Sequence, residues 1–92
     1  MNSINIEKLK EIILNNLENK SVDLKRVFHG RGNFYDDFNY LVVDSINDIL
    51  MASFFKEVEA DIQKNIIKIL DEVYATNDFK TLIIQRRYKK DN

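Results

Sequence analysis

Apolar residues at Ile6, Leu9, Ile13 and Leu17, with Ile12 beside them, recur at spacings of three, four and four. That is the stripe of an amphipathic helix, predicted over about residues 4–19. Asn5 or Ser3 can cap its start, and Glu7 lies in the first turn, where the positive end of the helix dipole favours an acid. A helix of this length is marginal alone in water, so it is expected to pack on a sheet.

After the helix the period shortens. Residues 25–29 predict a short strand that runs into His29-Gly30-Arg31-Gly32-Asn33, where two glycines and an asparagine admit positive backbone dihedrals and a tight loop. Residues 40–43 form a second predicted strand and residues 49–55 a third. Residues 44–48 between them carry turn chemistry, so the pair is expected to be an antiparallel hairpin. Ile62, Ile66, Ile69, Leu70, Val73 and Tyr74 then restore the helical period over residues 58–76, which Asn77 and Asp78 close. The apolar run of residues 81–85 is a fourth strand.

The order α-β-β-β-α-β predicts an α+β fold, a small mixed sheet with helices packed on at least one face. Strand 3, the crossover helix and strand 4 imply right-handed parallel pairing. The nearly continuous apolar run of strand 4 predicts a central strand, or one covered on both faces. No repeat or linker divides the chain, so residues 1–92 are expected to be a single domain, with a β-β-β-α-β unit over about residues 25–88.

Composition narrows the function classes. With 45% apolar and 32% charged residues and no proline, the chain has a globular composition throughout. Zero cysteines and one histidine exclude a disulfide scaffold, a thiolate zinc site, a cysteine nucleophile and a polyhistidine metal centre. Two glycines are too few for a complete doubly wound nucleotide-binding domain. No apolar run nears the roughly 20 residues of a membrane span, and the amino terminus lacks a secretion signal. A cytoplasmic protein without a membrane partner is expected.

The net charge of −1 hides an uneven distribution. Residues 21–35 sum to +2 and residues 79–92 to +4, whereas residues 36–61 sum to −6. Such asymmetry marks either a polyanion-binding face or solvated element ends.

His29-Gly30-Arg31-Gly32 is the most distinctive tetrapeptide. It is either an anion-receiving loop, with exposed N–H groups and the Arg31 fork, or a simple chain turn in which His29, Gly30 and Gly32 are structural. No helix is predicted directly after it, so it is not a dinucleotide fingerprint. His29 as a general base would need an orienting acid, for which Asp36, Asp37 and Asp44 are candidates by number alone, and no catalytic residue is assigned. Arg31, Phe34, Tyr35, Phe38 and Tyr40 mix rings with a cation, as single-stranded nucleic-acid sites do, while the alternative puts Phe34 and Phe38 in the core. Arg86, Arg87, Lys89 and Lys90 are either phosphate contacts or an ordinary solvated end.

The run Arg26-Val27-Phe28-His29-Gly30-Arg31-Gly32, followed by Tyr35 and Leu41-Val42-Val43-Asp44, resembles the segment ahead of the catalytic domain in a bacterial family of SAM-dependent methyltransferases related to the ribosomal RNA cytosine-5 methyltransferases. Gln85-Arg86-Arg87-Tyr88 continues the resemblance, which covers about residues 25–88. The chain departs from the pattern at Asp36-Asp37-Phe38, where relatives carry a Pro-Gly or Gly-Leu turn. The resemblance implies an auxiliary module that helps hold structured RNA. Its cofactor, SAM, would be bound by a downstream catalytic domain, and no cofactor is expected in this chain. RNA contacts are then expected from Arg31, Tyr35, Arg86, Arg87 and Lys89. The rival reading is a structural or protein-interaction domain without nucleic-acid binding, which docks a catalytic domain or a second copy in a homo-oligomer.

Overall fold

The computed structural model describes residues 5–17, 24–30 and 38–88. They form α1 (Ile6–Asn16), β1 (Lys25–His29), β2 (Leu41–Ile46), β3 (Ile49–Phe54), α2 (Ala60–Thr76) and β4 (Thr81–Arg86), the α-β-β-β-α-β order of an α+β fold. The sheet order is β1-β2-β3-β4, antiparallel for the first two pairs and parallel for β3 with β4.

Side chains alternate along strands, so the register assigns each residue to a face. Leu41 and Val43 of β2, Leu50, Ala52 and Phe54 of β3 and Leu82 and Ile84 of β4 share one face. Leu9 and Ile13 of α1 and Ile66, Leu70 and Val73 of α2 complete a single core against it. Both helices therefore lie on the same side, and among the described residues no helix packs on the other face, where Val42, Asp44 and Ser53 are nonetheless buried. Asn5 caps α1, its Oδ1 accepting from the Lys8 N–H at 2.8 Å. Asn77 closes α2 by donating its side-chain amide to the Val73 carbonyl at 3.0 Å, and Asp78 follows with φ of 60°.

β1 breaks the alternation. Arg26 pairs with Asp44 and Phe28 with Val43, which leaves Val27 as the extra residue of a bulge. Val27 and Phe28 are consecutive, yet both are buried in the core. The bulge frees the Val27 carbonyl from the ladder, and Asn16 of α1 donates to it at 2.8 Å. An irregular strand is thereby tied to the helix above it.

Two expectations need correction. Residues 44–46 are not turn but the end of β2, and the hairpin closes through Asn47 and Asp48 alone, with Asn47 at φ of 51°. Asp44 tolerates a strand position because Arg26 of the neighbouring strand neutralises it. β4 is not central or doubly covered. It is an edge strand with one strand neighbour, and α2 packs on one face only, leaving Thr81 and Ile83 exposed. An apolar run reports the hydrophobicity of a strand and not the number of its neighbours.

Ser45 points into the core face opposite Leu50, and its Oγ is buried without a hydrogen-bond partner among the described residues. A buried hydroxyl without a partner costs free energy. Ser45→Ala is therefore expected to stabilise the chain by about 1 kcal/mol, read as a rise in melting temperature of roughly 5 °C.

Candidate functional site

The strand register brings His29 and Arg86 with Arg87 to one end of the sheet, whereas Lys25 and Lys80 lie at the other. β1 ends at His29, β4 ends at Arg86, and both ends border the rows where β2 begins and β3 stops. His29 pairs with Val42, Val42 with Ser53 and Ser53 with Gln85, forming one row on the face opposite the helices, in which Val42 and Ser53 are buried. At three inter-strand spacings, His29 and Gln85 lie about 14 Å apart.

Beyond that row the alternation continues into Phe55 and Arg87. The Arg87 guanidinium sits over the Phe55 ring, 5.6 Å from its centroid. Ser53 donates its hydroxyl to Gln85 Oε1 at 3.2 Å, which fixes the amide and aims its N–H groups elsewhere. Behind the row, Arg26 holds Asp44 through Nε at 2.8 Å and Nη2 at 3.3 Å. The hydrogen bond to Asp44, opposed by partial desolvation and supported by the Asp44 charge, raises the Arg26 guanidinium above its already high ordinary pKa. The pair is asymmetric, since the Arg26 side chain is 49% exposed and that of Asp44 only 7%.

This end of the face thus presents a cation, a half-buried ring, an oriented amide and an exposed imidazole. Arg86 is elsewhere, its Nε donating to Gln63 Oε1 of α2 at 3.0 Å on the helix side of the strand. Arg31, Gly32, Phe34, Tyr35, Lys89 and Lys90 lie outside the described residues.

Of the two readings of the rings at residues 34–40, the structure takes the core one at Phe38. Phe38 and Tyr40 are buried, and Phe28, Phe38, Tyr40 and Phe54 form a chain of ring contacts with centroids 6.2–6.3 Å apart. They build the core wall and offer no stacking surface. Phe55 was not among the sequence candidates, although the Phe54-Phe55 pair carries a signal: in a strand one of two adjacent rings must face away from the core.

His29 is exposed and has no side-chain hydrogen bond among the described residues. Both Asp44 oxygens are taken by Arg26, so Asp44 does not orient it. Asp36 and Asp37 lie outside the described residues. Gly30 is a structural residue, but not through a positive dihedral, since no described glycine has one. Its backbone passes so close to the Phe38 and Leu41 carbonyls that no side chain fits.

A larger cavity of about 360 Å³ lies away from these groups, lined by Ile6, Phe38, Tyr40, Val58, Ile62 and Asn65, and it contains no charged side chain. Among the described residues no group of three or more histidines and carboxylates could hold a metal ion, and no helix is long and apolar enough to cross a membrane. No protein-family model matches the chain, and neither does any curated protein or solved structure.

Proposed function

We propose that the chain is a non-catalytic RNA-positioning module of a SAM-dependent methyltransferase, and that it holds RNA on the sheet face opposite the helices at the end bounded by His29 and Arg87. The observation that supports this reading is the placement of Arg87 over Phe55 beside Gln85, with the exposed His29 at the other end of the same row on the face opposite the helices. Sheet faces that carry rings beside cations bind single-stranded segments, because bases stack on the ring while guanidinium groups meet phosphate. A width of about 14 Å suits roughly two to three unstacked nucleotides. The methyltransferase part of the proposal rests on the resemblance carried by residues 26–44 and 85–88, and SAM would belong to a separate catalytic domain.

Binding of structured RNA with a single-stranded loop is expected to weaken steeply with salt, because each phosphate contact releases counterions. Arg87→Glu is expected to weaken it by about tenfold or more and to lower the slope of log affinity against log salt by about one contact. Arg86→Glu is expected to act less, because that side chain is held toward α2. Phe55→Ala is expected to cost about 1–3 kcal/mol of binding if a base stacks there. Salt titration of fluorescence anisotropy measures all of these. Affinity indifferent to salt, or methyl transfer by the purified chain, would overturn the proposal.

A further inference from the structure

The two edges of the sheet are built differently. β1 is short, bulged at Val27 and lined with Lys25, Arg26 and His29, which are devices that discourage another strand from pairing. β4 has no bulge, and its one charged residue, Arg86, stands at its end. It pairs with β3 residue for residue from Thr81 to Arg86 with no register shift, and Thr81-Leu82-Ile83-Ile84-Gln85 contains neither charge nor proline.

The ladder fixes which groups this edge presents. Thr81 N–H donates to Asp48 at 3.2 Å and Arg87 N–H to Phe54 at 2.7 Å. Hydrogen bonds alternate along a parallel pair, so residues 81, 83, 85 and 87 face β3, while the N–H and C=O groups of Leu82, Ile84 and Arg86 face outward. Charge brackets the apolar centre: Lys80 stands at one end and Arg86 with Arg87 at the other.

We propose that β4 is a docking edge for an extended peptide with an apolar, β-branched centre and acidic ends, which adds to the sheet as a fifth strand. Main-chain bonds to Leu82, Ile84 and Arg86 would give affinity, and Lys80 and Arg86 would select the acidic flanks. A second copy of this chain fits less well. Antiparallel self-pairing about Ile83 sets Lys80 opposite Arg86 of the copy, and like charges directly opposite each other destabilise a pair. The proposal is separate from RNA binding, which uses the face opposite the helices.

The test uses the whole chain and a synthetic peptide, Asp-Glu-Val-Thr-Val-Thr-Val-Glu-Asp, with a counterpart carrying lysine in place of each acid. Amide hydrogen exchange by NMR is expected to show Leu82 and Ile84 open and Ile83 and Gln85 protected in the free chain, and the acidic peptide is expected to protect Leu82 and Ile84 as well. The lysine counterpart is expected to bind about tenfold more weakly or worse. Ile84→Pro removes an outward N–H without removing a bond to β3 and is expected to abolish binding with the circular dichroism retained. Should that variant unfold, Lys80→Glu/Arg86→Glu keeps the main chain intact and is expected to reverse the preference between the two peptides. Equal affinity for both peptides, absence of protection at Leu82 and Ile84, or their protection by self-association without peptide would each overturn the proposal.

Discussion

Gly30→Ala is expected to lower stability by about 3 kcal/mol or more, which for a domain of this size shifts the melting temperature down on the order of 15 °C. A Cβ at this position would overlap the Phe38 carbonyl oxygen and come within 2.7 Å of the Leu41 carbonyl oxygen. Both obstacles are backbone, so no side-chain rotation relieves the clash. The end of β1 would have to retreat from the start of β2, pulling Phe28 away from Phe38 and loosening the chain of rings that continues to Phe54. His29→Ala, one residue earlier and exposed, is expected to change stability by less than about 0.5 kcal/mol. Thermal denaturation of the two variants separates a tetrapeptide kept for packing from one kept for its imidazole. An equal response in both would remove the packing account.

Arg26→Leu is expected to destabilise more than Asp44→Asn, by about 2–3 kcal/mol against about 1 kcal/mol. The difference follows from burial. Removing Arg26 strands a carboxylate that is 7% exposed, whereas removing the Asp44 charge leaves a guanidinium that is 49% exposed and can recover water. Replacing both residues with leucine is expected to restore much of the loss, because a pair of apolar neighbours avoids the desolvation of either ion. Chemical denaturation of the two single variants and the double variant measures the coupling directly. The pairs Lys8–Glu11 and Lys10–Glu72 are exposed on both sides, and removing either is expected to change little.

The helices were legible because their stripes are long. Leu9 and Ile13, and Ile66, Leu70 and Val73, stand where the period places them, and Asn5 caps α1 as its chemistry implies. The parallel partnership of β3 and β4 followed from the helix between them. What escaped depends on partners distant in sequence. Asp44 resembles a turn residue until Arg26 lies beside it, and β4 resembles a central strand until the sheet ends there. The paired burial of Val27 and Phe28 breaks the strand period because of a bulge, which no local pattern announces. At the candidate site, Arg87 was visible as a charge, but the ring it covers, Phe55, was read only as part of a strand.

The strands stand in the sheet in the order in which they occur in the chain. β2 and β3 can therefore each join the strand before it by closing a loop that contains no helix, and the Asn47-Asp48 turn is the shorter of the two. Only the last pairing, in which Thr81 meets Ile49, must wait for a whole helix to be placed between its partners. Loop closure makes such distant pairing the slow step. In a chain in which α2 and β4 had yet to dock, β3 would be an open edge and Leu50, Ala52 and Phe54 would lose part of their cover. Fast docking of α2 and β4 would then shorten the time for which that surface is open to misassociation.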